Sequence, residues 1–148
     1  MPIVLVAAAG VILTWWLTRP RLSDAEQIGL VVDQIKAGIE KKSPREVLTH
    51  ISADYHDSEG INYDRARFLA SRLLREPEQI QINILNYTGP VIAQDLAELK
   101  LTVNASALSS GAQVAQVSGE VKLTFRKERK GWKVLDAEGW QQWVVGLE

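Results

Sequence analysis

The segment AELKLTVNASA, residues 97–107, alternates without interruption. Ala97, Leu99, Leu101, Val103, Ala105 and Ala107 fall on one side, and Glu98, Lys100, Thr102, Asn104 and Ser106 on the other. Successive strand side chains point to opposite faces, so a period of two over this length predicts a long strand with one buried face. Ser109-Ser110-Gly111 then supplies a turn, and a second long strand is predicted from about Val114 to Arg126, with Val117, Val121, Leu123 and Phe125 facing inward. Lys130-Gly131 makes the next turn, and Trp132, Val134 and Leu135 open a last strand. Upstream, Ile80, Ile82 and Ile84 alternate in the same way until Gly89-Pro90, where the run is expected to break. Strands joined by short turns form antiparallel sheets, so the expected fold class is α+β, with helices against the apolar face.

Those helices precede the strands. Ser23-Asp24-Ala25-Glu26 is a capping box, in which the serine oxygen accepts from the backbone three residues on while the glutamate reaches back. Ile28, Val31, Val32, Ile35 and Ile39 follow at three- and four-residue spacing, an apolar stripe opposite Asp33, Lys36 and Glu40. Ser43-Pro44-Arg45-Glu46 opens a short second helix, with proline at the first position, where its missing N–H costs nothing. Asn62 caps a third helix carrying Ala66, Leu69, Ala70 and Leu73, which Pro77 ends.

Before the first cap lies IVLVAAAGVILTWWLT, residues 3–18, without a charged side chain and closed by Arg19, Pro20 and Arg21. The chain begins Met1-Pro2 and has no small-residue cleavage pattern after the apolar run, so a removable signal peptide is not expected. Residues 1–22 read instead as a single transmembrane anchor and linker, residues 23–148 as the α+β domain. Trp15 and Trp16 suit the membrane interface. Arg19, Arg21 and Lys36 all follow the span, which favours the cytoplasmic over the periplasmic side for the domain. Ala7, Ala8, Ala9 and Gly10, flanked by Leu5 and Leu13, put small residues at mid-span, where close backbone approach lets one transmembrane helix pack on another.

Composition narrows the function. The net charge of −1, from 17 basic and 18 acidic residues spread along the chain, excludes a strong field for nucleic acid. With no cysteine among its 148 residues, the protein has no disulfide, thiolate metal site or cysteine nucleophile.

The capped first helix, the Ser52-Ala53-Asp54-Tyr55 segment with a Gly60 turn into the third helix, and Gly131-Trp132-Lys133-Val134 together resemble the nuclear-transport-factor-2-like superfamily, which includes ketosteroid isomerases and polyketide cyclases. The resemblance covers roughly residues 23–143. It implies a cone-shaped antiparallel sheet packed on about three helices, with a pocket between them that takes an apolar ligand. An anchor followed by Arg-Pro-Arg-Leu-Ser is similar to bacterial members of the superfamily, which implies the bacterial inner membrane. Functions on this fold range from isomerases to non-catalytic partners, so the resemblance alone selects none.

Isomerase-type chemistry needs a carboxylate base in the pocket, and the predicted inner rows contain no ionisable side chain. Asp136, late in the last strand where alternation becomes irregular, is the candidate to turn inward with Tyr55; alternatively, Tyr55 packs under the sheet and Asp136 is solvated. Asp54, His56, Asp57 and Glu59 crowd one loop, but the spacing lacks both anchoring carboxylates of a calcium loop, so no metal is expected. Nor is any cofactor. Trp140 and Trp143, spaced by three near the C-terminus with Val144, Val145 and Leu147, must pack on the domain or meet a partner. Two functional expectations follow. One is a non-catalytic, membrane-anchored accessory subunit of a larger membrane complex, using the anchor and the aromatic tail. The other is a small-molecule binder or isomerase- or cyclase-type enzyme acting on an apolar substrate. A carboxylate lining the cavity would separate them.

Overall fold

The structure, a computed structural model, describes the backbone from Pro2 to Val145 and the side chains from Ala7 to Trp143. Helix α1 (Pro2–Leu17) is followed by α2 (Asp24–Glu40), α3 (Pro44–Leu48) and α4 (Tyr63–Leu73). Strands β1 (Gln79–Ala93), β2 (Leu96–Ser109), β3 (Ala112–Glu128) and β4 (Gly131–Glu138) form one antiparallel sheet in the order β1-β2-β3-β4, and a short α5 (Gln142–Val145) closes the chain. The expected α+β class is therefore present, with α2, α3 and α4 on the inner side of the sheet.

Each helix starts where its cap predicts. Ser23 Oγ accepts from the Glu26 N–H while Glu26 returns the bond to the Ser23 N–H, and Ser43 and Asn62 cap α3 and α4 from their side chains. Ile28, Val31 and Val32 of α2 are buried against Leu99, Leu101, Val103 and Phe125 of the sheet, with Trp132 and Val134 closing the far end. Asp24 ties the start of α2 to the sheet: its Oδ1 accepts from Lys127 Nζ at 2.9 Å and from Trp132 Nε1 at 3.0 Å. Lys127 and then Trp132 hold its carboxyl below the usual range.

Two expectations about the strands are corrected. Gly89-Pro90 does not end β1: the strand continues to Ala93, and the ladder shifts register between Thr88 and Val91. A bulge leaves residues out of the ladder, so a proline without an N–H is tolerated there, on a strand at the sheet edge. Gly89, at φ +103, takes a conformation that other residues avoid, and an added Cβ would press on the Glu98 carbonyl. In β4 a second bulge lies opposite Thr124 and Phe125, so that Val134 pairs with Phe125 and Ala137 with Leu123. Leu135 is the extra residue, and Ala137 takes the inner place expected for it.

Helix α1 is 16 residues long, and among the described residues no helix is long and apolar enough to cross a membrane. At about 1.5 Å per residue it measures roughly 24 Å, against a hydrocarbon core of about 30 Å, and Pro20 follows its last residue, Leu17, by three positions. Its described side chains, from Ala7 on, are nonetheless exposed: Val11, Ile12, Leu13, Trp15, Trp16 and Leu17 are each more than half so. The Arg19 guanidinium sits 4.2 Å from the Trp15 ring centre.

Candidate functional site

Between the inner sheet face and the helices lies a cavity of about 340 Å³. This is within the size range of small-molecule sites. Ile35 and Ile39 of α2, Ala66, Ala70 and Leu73 of α4, and Leu101, Val103 and Ala105 of β2 belong to its wall. The small residues leave the space open, because Ala66, Ala70, Ala105, Ala107 and Ala115 stand where larger side chains would fill it. No aspartate or glutamate lines it among the described residues. Its wall also includes Lys36, which pairs with Glu40 at 2.9 Å, Ser106 and the ring side chains of Tyr55, Trp140 and Trp143.

Tyr55 is buried and its hydroxyl donates to Asp57 Oδ2 at 3.0 Å. Asp57 is itself buried; its Oδ1 also accepts from the N–H groups of Glu59 and Ile61, each at 3.0 Å. Burial, and then the hydrogen bond to Asp57, push the Tyr55 hydroxyl well above its ordinary pKa. It is a neutral donor, not a base. Trp140 lies close enough to offset part of that shift but outside full hydrogen-bonding geometry, so Trp140 Nε1 is buried without a partner, as is Trp143 Nε1.

The expected Tyr55–Asp136 pair does not form a hydrogen bond. Asp136 lies opposite Thr124 in the ladder and does not line the cavity. Its Oδ1 is buried without a partner, and burial, then Glu138, raise its pKa. Asp54, His56, Asp57 and Glu59 point to separate tasks: Asp54 pairs with Arg126 at 2.8 Å, while Asp57 turns inward. Among the described residues no group of three potential ligands gathers.

The C-terminal segment is the feature that sequence reasoning left open. At Gly139, φ +95, the chain turns back over the inner sheet face, where an added Cβ would collide with the Glu120 carbonyl. Gln142 then occupies the space left by the missing side chain of Gly119. Gln141 Oε1 accepts from the Gly139 N–H, and its Nε2 donates to Asp57 Oδ2 and to the Ala137 carbonyl, each at 3.2 Å. Trp140 and Trp143 are thereby laid across the cavity as a lid. Their spacing by three was the signal available in sequence. Of the residues expected to form an anchor, Ala7, Ala8, Ala9, Gly10, Leu13, Trp15 and Trp16 are exposed; the side chain of Leu5, with Leu147, lies outside the described residues.

No protein-family model matches the sequence, and neither does any curated protein. Solved structures do match by shape. A candidate aromatic ring hydroxylase from Novosphingobium aromaticivorans superposes with a TM-score of 0.69 at 15% identity, over 80% of this chain and 89% of the other. A nuclear transport factor 2-like superfamily protein from Salmonella enterica gives 0.65 at 11% identity, over 77% and 87%. A candidate dehydratase of the same family from Streptomyces avermitilis gives 0.61 at 16% identity, over 77% and 93%. The chain has the α+β cone fold of nuclear-transport-factor-2-like proteins. At these identities the likeness establishes the fold alone.

Proposed function

We propose that this chain is a non-catalytic, membrane-anchored domain that holds an apolar molecule in its cone cavity. The observation that carries this is the lining: a cavity of about 340 Å³ walled by aliphatic and aromatic side chains, with Lys36 and Ser106 the other side chains at its wall and no carboxylate among the described residues. An apolar wall without a base favours binding over proton abstraction. The hydroxylase and dehydratase among the similar structures keep an enzymatic reading in view. That reading needs a base, and Asp57, which contacts the wall residue Tyr55, is already engaged by Tyr55, Gln141 and two backbone N–H groups, while Glu40 is paired with Lys36.

Residues 1–22 serve as anchor and 23–148 as the domain, in a bacterial inner membrane, with the domain on the cytoplasmic side by the placement of Arg19, Arg21 and Lys36. The exposed apolar side chains of α1 from Val11 to Leu17 favour a membrane over water. The deficit of about 6 Å in its length is the kind of mismatch that local bilayer thinning and interfacial Trp15, Trp16 and Arg19 absorb. The exposed small residues Ala7 to Gly10 support a second role as accessory subunit, packing against a transmembrane helix of a larger complex.

The test is organic extraction of the full-length protein purified from its native membrane, followed by mass spectrometry. A compound enriched over bulk lipid in the wild type and absent from Ala105→Phe, which fills the cavity, is the expected result. Identical extracts from both proteins would remove the binding reading.

A further inference from the structure

A second concavity lies on the other side of α3, bounded by α3, α4 and the β3–β4 hairpin. Its charged lining residues are Arg45, Arg67, Lys130 and Lys133, and no acidic residue lines it. Thr49, Ser71 and Tyr63 add hydroxyls, and Leu48 and Ile51 form an apolar floor. Among the described residues Arg45, Lys130 and Lys133 have no carboxylate within 4.0 Å; Arg67 has Asp64 at 3.6 Å, and Glu46 turns to Lys41 at 3.5 Å. The positive field reaches a neighbour: after burial, Lys133 is the second cause holding His50 below its ordinary pKa. Four like charges brought together, three of them without an ion-pair partner, favour an anion between them.

The position of this groove in the chain says which anion. The hairpin that carries Lys130 and Lys133 is tied to the N-terminus of α2 by Lys127 and Trp132, which both bond Asp24. Asp24 follows Leu17, the end of α1, by seven positions. Fully extended, that linker spans about 25 Å at most. A tether this short keeps the domain at the surface holding α1, where weak contacts act at high effective concentration.

Resting on the reading of α1 as a membrane anchor, we propose that the groove of Arg45, Arg67, Lys130 and Lys133 docks the domain on phosphate groups of anionic lipid headgroups. Guanidinium and ammonium groups together suit a phosphate, and the attraction of basic residues to an anionic leaflet extends over a Debye length. The contact orients the domain on the bilayer surface.

The experiment reconstitutes the full chain into vesicles of phosphatidylcholine, with or without phosphatidylglycerol, and reads flotation and hydrogen exchange of residues 43–49, 63–71 and 128–133. The expected result is flotation with both vesicles and a several-fold slowing of exchange in these segments only with phosphatidylglycerol, abolished in Lys130→Gln/Lys133→Gln and, separately, in Arg45→Gln. Equal slowing by inorganic phosphate added to phosphatidylcholine vesicles would overturn the lipid assignment in favour of a free phosphate ligand. Flotation with both vesicles but equal exchange would overturn the docking surface and leave the anchor standing. Failure to float with either would overturn the anchor itself. Circular dichroism shows which variants are folded, and the Arg45 variant keeps the test decisive if the double variant is not.

Discussion

Gln141 donates its side-chain amide to Asp57 Oδ2 at 3.2 Å, although 84 positions separate the two residues. The same carboxylate takes the Tyr55 hydroxyl and two backbone N–H groups from its own loop, so one buried anion fastens the C-terminal lid to the loop between α3 and α4. Replacing Gln141 by leucine removes a donor from a buried carboxylate, a loss of about 1–3 kcal/mol. The expected outcome is a lowered denaturation midpoint together with faster hydrogen exchange from Gly139 to Trp143. Unchanged exchange in that segment would show the lid to be held by its tryptophans alone.

Val103 is 4% exposed on the inner face of β2, opposite Gly119. Val103→Asp places an unpaired carboxylate in an aliphatic wall, and a cost of about 4 kcal/mol or more follows from burying a charge without a partner. Thermal melting monitored by circular dichroism is the check, and a wild-type transition would mean that the residue faces solvent.

Asp136 gives a pH dependence of definite sign. Its folded-state pKa is raised, so the native protein binds its proton more tightly than the unfolded chain does. Its contribution to stability is therefore fully present below the ordinary carboxylate pKa and is lost as pH rises through the raised value. Asp136→Asn keeps the shape without the charge, and is expected to melt higher than wild type at neutral pH, with the difference shrinking toward acidic pH. A variant that melts lower at neutral pH would show that the charged form is the favoured one.

Much of this fold was legible in the residues, and the exceptions share a cause. The alternation from Ala97 to Ala107 and the caps at Ser23, Ser43 and Asn62 are local signals, and each marks its element within a residue or two. Leu135 and Ala137 exchange places because a bulge adds one residue to β4, and a period of two carries no mark of such an insertion. Gly89-Pro90 reads as a break because proline's missing N–H matters only where a partner strand needs it, which depends on the sheet order. The irregularity of the last strand suggests Asp136 as a neighbour for Tyr55. Its actual partner, Asp57, turns inward because its other oxygen is held by Glu59 and Ile61, in the tight turn that Gly60 at φ +76 makes. The aliphatic character of the cavity was visible; that two indoles would cover it depends on a reversal at Gly139 that only the tertiary structure reveals.

The small residues of α1 carry the last prediction. Ala8→Leu with Gly10→Leu keeps the helix apolar while blocking close approach of a second helix. The double variant is expected to insert as wild type does and to lose part of the set of membrane proteins that co-purify with it. Full retention of every partner would reduce α1 to a tether.

The two interruptions in β1 also bear on how copies of this protein meet one another. An edge strand offers a row of free amide and carbonyl groups on which a second chain can polymerise. Along β1 that row is broken at Leu85 and again at Gly89-Pro90, while the opposite edge, β4, is occupied by the segment around His50 to His56, whose backbone bonds Val134 and Leu135. Neither flank of the sheet presents a long, straight template. An interrupted edge of this kind disfavours edge-to-edge pairing between neighbouring molecules.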